Sequence, residues 1–263
     1  IIYEKCFKNI LLSVVIASLT LSISGCSGGG DSSGTTVGLA GAGGGAGKGP
    51  FRQGSTVVAY KLDSGVRSAT AATTTTSDDK GTFSFSGLIT WTGPTEFVID
   101  GEYLNENTGA YMVLLPANGL SAVSDMVAGV NEKVNINVFT DIATPGIKAA
   151  LAASIPLAVA KQTAQDNIVK LFNLDLPAGV ELTDLDVTDG ASNQQANAQL
   201  LLVSAALLQA PNPEQLMENF ANELTQSIVD GEINENELSS VLELETLAAT
   251  VDLKAVAAIM IDK

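Results

Sequence analysis

Lys133-Val134-Asn135-Ile136-Asn137-Val138-Phe139-Thr140 is the stretch on which the architecture turns. Val134, Ile136 and Val138 alternate with Asn135 and Asn137, the period-two pattern of a half-buried strand. Beyond Asp141 the apolar residues recur every three or four positions instead, the spacing of a helix face. The stretch therefore predicts the last strand of a β-rich unit over 48–140, and a helical unit over 141–263. The fold class expected is α+β in sequential halves.

Working back toward the amino terminus, residues 55–62, 82–86, 96–100 and 111–115 also read as strands. In Thr82-Phe83-Ser84-Phe85-Ser86 aromatic and polar residues alternate, and the turn-forming Asp78-Asp79-Lys80-Gly81 precedes them. Short strands at this spacing, with Gly and Asn turns between them, predict a β-sandwich.

Working forward, Ala160, Ala164, Ile168, Leu171 and Phe172 mark a first helix face, which Asn173 to Gly179 ends. Residues 192–210 are apolar nearly all round at Leu200 to Leu208, as expected of a central buried helix. Pro213 suits the first turn of the next helix, where Leu216, Phe220, Leu224 and Ile228 form one stripe. Asp230-Gly231 breaks it. Leu238, Val241, Leu242 and Leu247 mark another helix, and a last one begins at Asp252.

Composition removes several chemistries. The 263 residues contain no histidine, so the usual general base and the Ser-His-Asp triad are absent. The formal net charge is −16, which repels phosphate backbones and argues against nucleic-acid binding. Residues 141–263 hold eighteen acids against five bases, so the acidity lies on the helical half. Solvated helix faces account for it.

The amino terminus gives an address. Lys5 and Lys8 precede an apolar run over residues 9–23, shorter than the roughly 20 residues that span a bilayer comfortably. This is the layout of a secretory signal peptide over residues 1–25. It ends in Ile23-Ser24-Gly25-Cys26, which resembles the lipobox of bacterial lipoproteins. The resemblance implies cleavage before Cys26 and acyl chains on its sulfur. Stable attachment takes at least two chains. Ser27, rather than Asp, after the cysteine implies the outer membrane, and the net negative charge, which repels anionic membrane surfaces, leaves lipid contact to the acyl chains alone. The only other cysteine, Cys6, would leave with the signal, so no thiol nucleophile or disulfide is expected in the mature chain. Residues 26–47 are rich in Gly and Ser and read as a flexible tether. Gly-Ala-Gly-Lys-Gly-Pro around Lys48 lacks the spacing of a phosphate-binding loop.

A second resemblance covers residues 48–140. Gly49-Pro-Phe-Arg-Gln-Gly-Ser-Thr-Val-Val-Ala-Tyr-Lys-Leu-Asp63, the threonine run and Asp79-Lys-Gly-Thr-Phe-Ser-Phe85 resemble carboxypeptidase-regulatory-like or transthyretin-like domains. Such domains are non-catalytic sandwiches that serve as spacers or binding surfaces. The expectation is a non-enzymatic envelope lipoprotein with a presenting, binding or structural role and a polysaccharide or envelope-protein partner.

Three alternatives are carried forward. A carbohydrate-binding module would stack sugar on Trp91 and at least one of Tyr103 and Tyr111, exposed on one face of the sheet. A carboxylate-dependent hydrolase would need two acids of the helical half facing a shared pocket. Calcium-dependent assembly would draw on Asp184, Asp186 and Asp189, or on Asp230 and Glu237 in a loop resembling half of an EF-hand. Against calcium, acids at these places commonly cap helices.

Overall fold

The computed structural model describes residues 40–189, 192–230 and 238–261. Its strands precede its helices, so the chain is α+β. The strands are β1 (Gly41–Gly44), β2 (Ala46–Gly47), β3 (Thr56–Asp63), β4 (Val66–Thr75), β5 (Phe83–Ser84), β6 (Gly93–Leu104), β7 (Tyr111–Leu114), β8 (Leu120–Met126), β9 (Asn131–Lys133) and β10 (Ile136–Asn137). The helices are α1 (Val138–Ala152), α2 (Leu157–Phe172), α3 (Gln194–Leu207), α4 (Pro213–Asp230), α5 (Leu238–Ala248) and α6 (Leu253–Ile261).

The main sheet runs β4-β3-β6, all antiparallel. The far edge of β6 is shared: its first part, from Gly93 to Ile99, pairs with β8, and its last part, from Gly101, pairs with β7. Side chains alternate across a strand, so register assigns the faces. Val57 and Ala59 sit beside Ile99 and Phe97, and these beside Leu120 and Ala122. All six are buried. Phe85, just after β5, packs on this face, its ring 5.7 Å from that of Phe97. β5 belongs to a small sheet, β5-β1-β9. The opposite face of the main sheet carries Glu96, Val98, Ser121 and Val123, and α1 covers it: Lys148 reaches Glu96, and Asp141 accepts from Ser121.

α1 is buried toward the sheet and toward the other helices alike. Phe139 in α1, Phe172 in α2 and Phe220 in α4 form a ladder of rings with centroids 5.1 and 5.5 Å apart. The buried apolar side chains from Ala40 to Ala248 form one continuous core. Strands and helices share it, so Asn137 marks a change of secondary structure and not of core.

Two expectations change. Val138, Phe139 and Thr140 do not extend a strand; they are the first turn of α1. Asn137 is the reason. Its side-chain oxygen accepts from the backbone N–H of Phe139 and Thr140, while Thr140 Oγ1 accepts from the Asn137 N–H. This capping box outcompetes the β pattern that Val138 continues. Secondly, residues 40–47 of the expected tether are ordered strand and are largely buried. Small side chains allow it through close packing. A Cβ on Gly44 would lie 2.2 Å from the Val134 carbonyl oxygen, so glycine lets two backbones approach.

The helical readings hold with small shifts. Ala160, Ala164, Ile168 and Phe172 are buried in α2, and Asn173 caps it in the left-handed conformation. Ten residues of α3 are buried, and so are Leu216, Phe220, Leu224 and Ile228 of α4. Leu242 departs: it is 55% exposed, and Leu244 takes the inward place in α5. β4 and β8 were not legible as strands. β4 is threonine and alanine, largely exposed, and β8 carries serines inside the protein.

Candidate functional site

The buried charges gather where the turn after β2 meets the β6–β7 loop, α1, α3 and α4. Lys48 lies between Gly47 and Gly49. Gly49 has a φ of +72°, and a Cβ there would lie 1.8 Å from the Leu104 carbonyl oxygen. Only glycine fits this close, left-handed turn. The turn sends Lys48 inward: its side chain is 1% exposed, and its ammonium lies 5.9 Å from the Tyr103 ring centroid. The nearest carboxylate oxygen is Glu214 Oε1, at 3.8 Å, beyond hydrogen-bonding range. Among the described residues no acceptor hydrogen-bonds this ammonium.

Two acids flank the lysine, Glu106 fully buried and Asp141 partly so. Glu106 sits in the β6–β7 loop, which the Asn105 side chain shapes by accepting from the N–H groups of Asn107 and Thr108. Glu106 Oε1 accepts from Ser204 Oγ of α3 at 2.7 Å, and Asn107 donates to the Ala205 carbonyl. Glu106 Oε2 is buried with no hydrogen-bond partner among the described residues. Asp141 stands in the first turn of α1, and its Oδ1 accepts from both the N–H and the hydroxyl of Ser121.

Burial governs how these groups titrate. It pushes Glu106 up to about 7, although the Ser204 bond and the Lys48 charge oppose it. It likewise pushes Asp141 up to about 6, against the Ser121 bonds and Lys48. Burial also lowers Lys48 from the ordinary lysine value, against the attraction of Glu214, Asp141 and Glu106.

Lys48 and Asp141 open onto a cleft of about 540 Å³ between α1, α4 and the turn before β8. Glu214 and Glu218 of α4, with Asn118 and Asn222, supply its other polar groups. Leu120, Pro145, Met217 and Ala221 supply an apolar wall. The arrangement offers one desolvated N–H donor at the floor and carboxylates above it. It offers a small polar group charged and hydrogen-bonding contacts.

The residues expected from sequence fall elsewhere. Tyr103 is 2% exposed and packs on Phe51. Tyr111 pairs with Leu104, the neighbour of Tyr103, so the two tyrosines point to opposite faces of the sheet. The Arg52 guanidinium lies over the Tyr111 ring. Trp91 is half-buried near the start of β6, its indole donating to Thr95 Oγ1. Burial removes Tyr103 from any exposed stacking surface.

The acidic trio is occupied by local caps. Asp184 accepts from the Glu181 N–H, Asp186 from the N–H and hydroxyl of Thr188, and Asp189 from the N–H and hydroxyl of Ser192. Among the described residues no group of three acids, histidines or cysteines is placed to hold a metal ion. The side chains of Asp230 and Glu237 lie outside the described residues, as do Cys26 and the signal segment. No described helix is long and apolar enough to cross a membrane.

Lys48, Glu106, Asp141 and Glu214 were not singled out from sequence. A lysine between glycines reads as a solvated loop, and nothing local reports that Tyr103, Ser204 and α4 will close over it. No family model, curated protein or solved structure matches the chain.

Proposed function

We propose that the protein is a lipid-anchored lipoprotein of the bacterial cell envelope with a binding rather than a catalytic role. One observation carries the reading: Ile23-Ser24-Gly25-Cys26 closes an apolar run that basic residues precede. Cys26 takes the acyl chains, and Ser27 directs the protein to the outer membrane. The first described residue, Ala40, lies fourteen positions after Cys26, so the two are at most about 50 Å apart even along a fully extended chain. The strand half is read as a transthyretin-like sandwich. Its support is the phenylalanine-lined face between the main and small sheets.

The hydrolase reading gains one observation, since Asp141, Glu214 and Glu218 of the helical half face a single cleft. Two facts turn the site toward binding. The Asp141 Oδ1 atom is already engaged twice by Ser121, and the Lys48 charge attracts both Asp141 and Glu214.

Mass spectrometry of the mature amino terminus tests the anchor. The expected product begins at Cys26 and carries acyl mass, and Cys26→Ser leaves the protein unprocessed and unacylated. A product that retains Lys5 and Lys8, or an unmodified Cys26, would sink the reading.

A further inference from the structure

The Lys48 ammonium is the most unusual group in the molecule. It is almost wholly removed from water, yet it has no hydrogen-bonded acceptor among the described residues and lines a cleft. A buried cation without acceptors is costly, and a ligand that supplies one recovers that cost. The remaining groups of the cleft narrow the ligand. A phosphate or other polyanion would meet Asp141, Glu214 and Glu218 against a single lysine, and is disfavoured. A polyamine would meet Lys48 itself. A molecule with one negative and one positive end satisfies both sides.

Spacing narrows it further. Lys48 Nζ and Glu214 Oε1 are 3.8 Å apart, so the two ligand charges must be close together. An α-amino acid, whose carboxylate and ammonium share one carbon, holds its charges at that spacing without having to fold, which longer zwitterions must do at a cost in chain entropy. The wall of Leu120, Pro145, Met217 and Ala221 then faces the side chain. We propose that the cleft over Lys48 binds a free α-amino acid with an apolar side chain, its carboxylate on Lys48 and its ammonium on Glu214. Asn118 and Asn222 hydrogen-bond the same two polar ends at the rim. The site belongs to the folded body and does not depend on the lipid anchor.

The test is isothermal titration calorimetry of the full chain in detergent, with L-leucine as the probe. Two analogues accompany it: 4-methylpentanoate, which lacks the ammonium, and leucinol, which lacks the carboxylate. Leucine is expected to bind saturably, and each analogue at least tenfold more weakly, the loss of one charged contact. Lys48→Met is expected to abolish binding. Glu214→Gln, at a partly exposed position, is expected to weaken leucine at least tenfold. Cys26→Ser is expected to bind leucine normally, which separates this site from the anchor. Absence of saturable heat with leucine, or equal binding of 4-methylpentanoate, overturns the proposal. So does full affinity in Glu214→Gln. If Lys48→Met fails to fold, the analogues and Glu214→Gln decide the matter.

Discussion

Lys148 Nζ lies 3.1 and 2.9 Å from the two carboxylate oxygens of Glu96, tying α1 to the longest strand of the main sheet. Arg67 of β4 donates two more hydrogen bonds to the same carboxylate, at 2.7 and 2.9 Å. Glu96 is 2% exposed, whereas its partners reach solvent. Burial alone would raise its carboxyl, but the bonds from Arg67 and Lys148 outweigh burial and hold it below the ordinary glutamate range.

Glu96→Gln should therefore destabilise the protein by about 2 kcal/mol, the scale of a lost charge-assisted bond. Lys148→Met should cost less, since Arg67 still satisfies the acid. Because Glu96 titrates low in the fold, its contribution is present above its unfolded value and is lost as pH falls through the folded one. Urea melts of both variants at neutral pH and near pH 4 check the order and the sign.

Glu106 and Asp141 act in the opposite direction. Their folded values, about 7 and about 6, lie above their unfolded ones. Between roughly pH 4 and 7 the folded state binds more protons, so stability falls as pH rises. Wild-type protein should melt at a higher temperature at pH 5 than at pH 7.5. Glu106→Gln, which mimics the protonated acid, should reduce that difference. An equal or larger difference in the variant would refute the assignment to Glu106.

Asn137 is the junction between strand and helix, and it is saturated. Besides its cap, its amide donates to the carbonyls of Leu182 and Leu185 at 2.9 and 3.0 Å. Asn137→Ala should cost about 3 kcal/mol, combining a lost cap with buried groups left unpaired. Asn137→Asp keeps the cap oxygen but sets a carboxylate oxygen against two carbonyls in a buried place, and should cost at least as much. Denaturant midpoints rank the three proteins.

Phe172 is the middle ring of the ladder that joins α1, α2 and α4. It is wholly buried. Phe172→Ala should destabilise by about 4 kcal/mol, and Phe172→Leu by clearly less, as expected for cavity formation. Chemical denaturation measures both.

How much of this was written in the chain differs by element. The stripe of Leu216, Phe220, Leu224 and Ile228 was legible because local periodicity alone places it inward. The alternation of Phe83 and Phe85 was legible for the same reason. The end of the strand pattern at Asn137 was misplaced by three residues because Val138 continues the alternation while a capping box overrides it. The glycines of β1 were taken for a tether because their composition is that of flexible chain. Their strand character depends on Val134 and Phe83, far along the sequence. The candidate site was the least legible part. Its lysine, its two flanking acids and Glu214 come from four separate segments, and only the closed fold brings them together.

β1 is the middle strand of the small sheet, bonded in parallel to β9 on one side and antiparallel to β5 on the other. The chain thus enters the body through an interior strand and not through an edge. A mechanical pull arriving from residues before Ala40 cannot peel β1 away along a single seam. Hydrogen bonds to both neighbours must give way before β1 leaves, so detachment from this end disrupts two strand pairs and not one.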